Sequence, residues 1–176
     1  MNIAIMGAGY VGLPLAIAFS KFYPVICFDI DKKRIEQLQK GYDSNKQHVK
    51  KEIIKKSLIF SYDRLLIEKK DIYIITVPTP INRSNKPDLT MLKSVSLLVG
   101  KLIKKDSIIV YESTTYPGCT EEFCIPLLES TSGLKYQKDF QVAYSPERVN
   151  PGDKINTLKS ITKIVAANDK NTLLRV

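Results

Sequence analysis

Histidine occurs once in these 176 residues, and cysteine is limited to three. A lone histidine, His48, leaves no histidine-based metal site and no Ser-His-Asp triad. It lies in a polar, lysine-rich stretch and reads as a solvated side chain. An odd number of cysteines suits a reducing cytoplasm better than a disulfide framework. Cys27 falls inside an apolar run and reads as core. Cys119 and Cys124, five apart in an expected helix, suit neither a helical disulfide nor paired zinc ligands. Charge is also missing from Met1 to Ser20. A secretory signal carries its cations ahead of the apolar core, whereas here Lys21 follows it. Three glycines and Pro14 would weaken a membrane-spanning helix there. The expectation is a cytoplasmic chain with no address for export and no membrane partner. Internal repeats, low-complexity linkers and nucleic-acid module patterns are absent, so no nucleic-acid partner is expected.

What is present is a single-domain composition. Hydrophobic residues make up 44% and charged residues 26%, as in globular proteins able to bury about two-thirds of their surface. The 27 cations outnumber the 18 anions, giving a net charge of +9. The lysines come in scattered pairs, which favours a lysine-rich surface over a dedicated anionic partner.

The most informative stretch is the first 29 residues. Asn2 to Met6 is apolar and β-branched, as in a buried strand. Gly7-Ala8-Gly9-Tyr10-Val11-Gly12 follows with the spacing G-x-G-x-x-G, and a second apolar run, Pro24 to Phe28, ends in Asp29. In a dinucleotide-binding unit Gly7 makes the tight turn, Gly9 lets a pyrophosphate approach the backbone, and Gly12 allows close helix–strand packing. The helix beginning there aims N–H groups at phosphates. Asp29 is placed to accept hydrogen bonds from ribose hydroxyls and to repel a 2′-phosphate, which selects NAD over NADP.

Apolar runs and helical periodicities then alternate along the chain. Val25 to Phe28, Ser57 to Phe60, Asp71 to Val77, Ser107 to Tyr111, Phe140 to Tyr144 and Ile161 to Ala166 read as strands. Helices are expected after Gly12, from Asp31 to Gly41, over Glu52 to Lys56, briefly over Asp63 to Glu68, from Leu89 to Ile103 and from Pro117 to about Glu129. Such alternation implies an α/β fold, a Rossmann-type doubly wound parallel sheet with helices on both faces. Ligands of these sheets bind outside the carboxyl ends of the strands. Val77-Pro78-Thr79-Pro80, Glu112-Ser113-Thr114 and Ser145-Pro146-Glu147-Arg148 all fall at that edge.

Those segments, with Gly7 to Pro14 and the run Val149-Asn150-Pro151-Gly152, resemble the UDP-glucose/GDP-mannose 6-dehydrogenase family. The likeness runs from residue 1 to about 165. Thr79-Pro80-Ile81-Asn82, Lys86-Pro87-Asp88-Leu89 and Asn150 to Lys154 resemble its UDP-N-acetylhexosamine branch, which makes uronic acids for bacterial surface polysaccharides. The resemblance implies that Gly7, Gly9, Tyr10, Val11, Gly12, Asp29, Arg34, Thr79 and Thr114 contact NAD. It implies catalytic roles for Thr114 and Glu147, and a nucleotide-sugar site bordered by Glu147, Arg148, Val149 and Asn150. The implied reaction oxidises a C6 alcohol twice to a carboxylate, using two NAD and a cysteine thioester.

None of the three cysteines has the setting of that family's nucleophile, which lies beyond position 176. The family's central helix and second nucleotide-binding domain also lie beyond it. The expectation is an amino-terminal NAD-binding domain, residues 1–176, that binds NAD but does not complete the oxidation. The full protein is expected to be a homodimer and this chain a monomer. Lys170 to Val176 reads as the start of a helix cut short. Two other readings stay open: a different NAD dehydrogenase, of hydroxyacid or 6-phosphogluconate type, and a non-catalytic dinucleotide-binding module. The first would not be expected to carry both the Val77 and Ser145 segments.

Overall fold

Ile3–Met6 (β1) buries all four of its side chains, and so do Ile72–Ile75 (β4) and Ile108–Tyr111 (β5). Strands buried on both sides belong in the middle of a parallel sheet covered by helices. The computed structural model describes residues 1–82, 84–148 and 160–176. Val25–Phe28 (β2), Leu58–Ser61 (β3), Gln141–Tyr144 (β6) and Ala166–Ala167 (β7) complete the sheet among those residues. The strand order is β3-β2-β1-β4-β5-β6-β7. All neighbours are parallel except β7, which runs antiparallel to β6. The doubly wound fold is borne out.

Alternation along each strand sorts the side chains into two layers. Ile3, Ile5, Ile72, Ile74, Ile108 and Val110 join Leu13, Ala16, Ile35 and Leu38 in one core. That core lies beneath the helices Gly12–Phe19 (α1) and Lys32–Gln39 (α2), with Ile53 of the short helix Lys50–Ile53 (α3). Ala4, Met6, Tyr73, Ile75, Ile109 and Tyr111 face Leu92, Val95, Val99 and Leu128. Those residues belong to Thr90–Gly100 (α4) and Ile125–Ser132 (α5). Each fully buried aliphatic side chain contributes about 1.5–3 kcal/mol.

Several boundaries moved for identifiable reasons. The helical turn expected at Glu52 to Lys56 is α3, two residues earlier, where the Glu52 carboxylate accepts from the Val49 N–H at 3.1 Å. The strand expected over Ile161 to Ala166 is only the two-residue β7. Upstream of it Lys163 turns to the Glu112 carboxylate, just past β5, instead of joining a ladder. The helix expected from Pro117 opens as a π-helical turn, Thr120–Cys124, before α5. That wider turn brings Cys119 and Cys124 into interaction beside Tyr111 and Ser96, and all three cysteines are buried free thiols. His48 is not solvated: its side chain is 19% exposed, and Nδ1 lies 3.5 Å from Glu52. Lys170–Arg175 (α6) is helical, capped by the Asp169 carboxylate on the Thr172 N–H.

Of the lysine pairs scattered in sequence, Lys55-Lys56, Lys69-Lys70 and Lys104-Lys105 fall in segments that enter strands, while Lys32-Lys33 and Lys50-Lys51 open α2 and α3. Two of these lysines have partners there, Lys104 on Asp71 at 2.7 Å and Lys105 on Asp139 at 3.4 Å. No helix of the described residues is long and apolar enough to cross a membrane.

Tyr73, fully buried in β4, ties this amino edge together. Its hydroxyl lies 2.8 Å from the Ile67 carbonyl and 3.0 Å from that of Leu102, and accepts from the Lys70 N–H at 3.1 Å. Burial pushes the phenol up to about 12. Tyr73→Phe leaves these buried backbone groups short of a partner. It is expected to lower stability by about 1–3 kcal/mol in urea denaturation, with the fold intact.

Candidate functional site

The glycine loop lies at the carboxyl end of β1, between β2 and β4. Gly7 has φ +118° and donates its N–H to the Phe28 carbonyl at 2.8 Å. A Cβ on Gly12 would stand 1.8 Å from the Gly7 carbonyl oxygen and 2.6 Å from Thr76 Oγ1. Thr76, the residue after β4, in turn donates toward the Met6 and Gly7 carbonyls, each at 3.1 Å. Strand, turn and helix thus meet with no room for a side chain. Gly9 is the opposite case, since a Cβ there would meet nothing within 4 Å. Its face of the loop opens onto a cradle that a side chain would fill.

Ala8 between them is held from both sides. Asp29 Oδ2 accepts its N–H at 2.7 Å, and Arg34 Nε donates to its carbonyl at 3.0 Å. Asp29 Oδ1 accepts from the Asp31 N–H at 2.9 Å, and Asp31 caps α2 through the Arg34 N–H at 3.1 Å. The Arg34 side chain continues to Asp43 at 2.8 Å and to Ser44 Oγ at 2.9 Å, and its residue is only 9% exposed. Its Nη2 is buried and has no hydrogen-bond partner among the described residues.

Asp43 closes the loop after α2 by accepting from the N–H groups of Asn45, Gln47 and His48 at 2.9–3.1 Å. Burial opposes its charge. The bonds from Arg34, Gln47 and Asn45, with the Arg34 charge, outweigh it and hold the carboxyl below its ordinary value.

On the other half of the edge, the loops after β4 and β5 are stitched together. Thr79 Oγ1 donates to the Thr114 carbonyl at 2.5 Å, and Ser113 Oγ donates to that of Val77 at 2.6 Å. Thr114 is exposed, while Tyr10 at 50% and Val11 flank the glycines. Beyond them Glu147 is half-buried after β6. Its N–H donates to the Glu112 carbonyl at 3.2 Å, and its Oε1 accepts from the Arg148 N–H at 2.6 Å. Lys163 bonds Glu112 Oε2 and lies 3.9 Å from Glu147 Oε2. Arg148 Nη1 donates to the Thr162 carbonyl at 3.2 Å. Val149 and Asn150 lie outside the described residues. For Glu112, burial raises the carboxyl and Lys163 pulls it down, while the charge of Glu147 adds to the rise.

The expected residues therefore form two groups, one around Ala8 and one where the ends of β4, β5 and β6 meet. Four participants were not assigned from sequence: Thr76, Asp43, Glu112 and Lys163. Glu112 was the readable one, since a carboxylate ending a wholly apolar strand is out of place. Lys163 is 51 residues from its partner and gave no signal.

The Asp43 carboxyl is depressed in the fold, so it stabilises above the unfolded carboxylate value of about 3.9, and that contribution is lost as pH falls through the folded value. Asp43→Asn leaves Arg34 buried without its counter-charge. Urea denaturation is expected to show a loss of about 3–5 kcal/mol at pH 7, and the gap from wild type is expected to close below about pH 4.

Comparison with known proteins agrees with this geometry. The sequence model described as the UDP-glucose/GDP-mannose dehydrogenase family, NAD binding domain, matches residues 1–175. Protein CapL of Staphylococcus aureus is 48% identical over 172 residues, 98% of this chain and 41% of CapL. The UDP-N-acetyl-D-glucosamine 6-dehydrogenase of Salmonella typhi is 48% identical over 169 residues, 96% of this chain and 40% of that protein. The solved structure of a UDP-D-ManNAc dehydrogenase from Pyrococcus horikoshii superimposes with a TM-score of 0.88 at 29% identity, covering 98% of this chain and 42% of that one. The chain thus spans about two-fifths of the length of these relatives. A glycine loop clamped by Thr76, Asp29 and Arg34 is accounted for by that match: the chain belongs to the UDP-glucose/GDP-mannose dehydrogenase family, as its NAD-binding domain.

Proposed function

We propose that the chain holds NAD at the cradle over Gly9 and serves a dehydrogenase that oxidises the C6 alcohol of a UDP-N-acetylhexosamine to the uronate. The observation that carries the reading is the pinned Ala8 peptide beside the open face of Gly9. A loop fixed by Asp29 and Arg34 presents its remaining N–H groups without reorganisation, which favours an anionic pyrophosphate. Gly7 and Gly12 shape that loop, Tyr10 and Val11 border it, and Thr79 and Thr114 flank it from the next two strand ends. Asp29 keeps lone pairs for ribose hydroxyls, and Arg34, whose buried Nη2 has no hydrogen-bond partner among the described residues, holds the Ala8 carbonyl beneath them.

NAD, when bound, supplies the hydride acceptor. The chain's own residues then position and move protons. Glu147, half-buried at the end of β6, is the carboxylate for the acid–base steps, and the Thr114 hydroxyl orients water. Arg148, Val149 and Asn150 border the nucleotide sugar. The hexosamine substrate is supported by the names of two relatives, the UDP-N-acetyl-D-glucosamine 6-dehydrogenases of Salmonella typhi and Pseudomonas aeruginosa. The two-step oxidation through a cysteine thioester calls for a nucleophile other than Cys27, Cys119 and Cys124. All three are buried, and burial pushes Cys27 and Cys124 far above the thiolate range.

Calorimetric titration of the 176-residue chain tests the reading. NAD is expected to bind more tightly than NADP, and the reverse order overturns the role of Asp29. Asp29→Asn keeps an acceptor for the Ala8 N–H but removes the charge, so it is expected to narrow the preference at least tenfold. Gly9→Val is expected to abolish NAD binding without lowering the melting temperature. Retained affinity in that variant would place the cofactor elsewhere. The chain with NAD and UDP-N-acetylglucosamine is expected to give no turnover by NADH absorbance.

A further inference from the structure

Pro78 and Pro80 remove backbone N–H donors at the point where β4 gives way to the carboxyl-edge loop. The last backbone bonds of the central ladders come just before them. The Thr76 N–H donates to the Met6 carbonyl at 3.0 Å, which joins β4 to β1. The Glu112 N–H donates to the Ile75 carbonyl at 2.9 Å, which joins β5 to β4. In the register of β4 on β1 the next donor would be Pro78, and it has none.

Side-chain hydroxyls carry the sewing on from there. Thr76 Oγ1 lies 3.1 Å from both the Met6 and the Gly7 carbonyl oxygens, and a Cβ on Gly7 would stand 2.9 Å from it. Ser113 Oγ donates to the Val77 carbonyl at 2.6 Å, and Thr79 Oγ1 donates to the Thr114 carbonyl at 2.5 Å. One seam therefore ties the loop after β4 to the loop after β1, and a second ties it to the loop after β5. Thr76 and Ser113 are buried, at 9% and 5% exposure, so water competes poorly for either hydroxyl. The prolines end the ladder and let the loops diverge, and the hydroxyls fix that divergence at one value.

Strand order relates the seams to the ligand. β2, β1, β4 and β5 are consecutive in the sheet, with Asp29 just past β2, Gly9 past β1, Thr79 past β4 and Thr114 past β5. A dinucleotide whose adenosine ribose meets Asp29 and whose pyrophosphate lies over Gly9 carries its second half over the ends of β4 and β5. Three interstrand spacings separate β2 from β5, about 14 Å. We propose that Thr76 and Ser113 are positioning residues for the cofactor: Thr76 sets the glycine loop against the loop after β4, and Ser113 sets the loops after β4 and β5 against each other where the nicotinamide lies. The inference deepens the NAD reading of the Gly9 cradle and rests on it. Neither hydroxyl needs to touch the cofactor, since both are spent on backbone carbonyls beneath it. Their effect is on distance, to which transfer between two bound reactants is steeply sensitive.

The two seams give different signatures. Saturation-transfer NMR of NAD on the 176-residue chain compares the nicotinamide protons with the adenine protons. Both are expected to be saturated in the unsubstituted chain. Ser113→Ala is expected to lower the nicotinamide-to-adenine ratio by about twofold or more, and Ser113→Thr, which keeps the hydroxyl, to restore it. Thr76→Val acts under the glycine loop instead. By calorimetry it is expected to weaken NAD and ADP-ribose, which lacks the nicotinamide, by the same factor of about five, and Thr76→Ser to restore both. A role confined to stability would lower the melting temperature of Ser113→Ala and leave the saturation ratio at its original value, and that result overturns the proposal. If Ser113→Ala does not fold, Ser113→Cys, of similar size and only a weak donor, carries the same test. An unsubstituted chain in which neither ring is saturated removes the NAD reading and this one with it. Adenine saturation with an unmoved ratio removes this one alone.

Discussion

Everything at the carboxyl edge depends on one close approach. The α carbon of Gly12 comes so near the Gly7 carbonyl that an added Cβ would stand at 1.8 Å, and Thr76 fills what space remains. This contact lets α1 start directly over the end of β1, and it fixes where the loop between them can go. The Ala8 peptide at the tip is then gripped by Asp29 at its N–H and by Arg34 at its carbonyl. Rigid loops lose little freedom when a ligand arrives, so the loop's rigidity counts toward binding. Arg34 extends the same chain of contacts to Asp43 and the loop after α2, which makes an otherwise polar, irregular stretch part of the cofactor site's support.

The other half of the edge follows a different logic. Burying a carboxylate is expensive unless it is paired and hydrogen-bonded. Glu112 meets that demand through Lys163 and Ser145, and still titrates high. A group with that cost at the end of a central strand contributes little to stability. Its effect is to organise its neighbours, and the return segment ending in β7 is the piece of chain that it holds. The edge strand is antiparallel and two residues long because the preceding residues, Thr162 and Lys163, are engaged with Arg148 and Glu112 rather than with a ladder.

Much of this was legible from residues alone. The runs Ile3 to Met6, Val25 to Phe28 and Ser107 to Tyr111 are short, apolar and bounded by turn residues, so periodicity identifies them. Glycine spacing with a terminal Asp29 marked the loop, because each glycine has a steric reason to be there. The rest depends on contacts between distant positions. Nothing local tells that Asp43 would collect three backbone N–H groups and a guanidinium, or that His48 would fold inward beside Glu52. The π-helical turn at Thr120 was invisible for a related reason, since a helical pattern does not record one extra residue per turn.

That turn leaves Cys119 and Cys124 sealed in the layer beneath α4 and α5, while Cys27 is sealed in the layer beneath α1 and α2. None of the three is more than 1% exposed. A thiol reagent therefore reaches them only when the covering helices open, and it reaches the two layers independently. The chain carries a built-in reporter on each face of its sheet: the rate of modification at Cys27 against that at Cys119 and Cys124 measures which helical layer lifts first, and by what free energy.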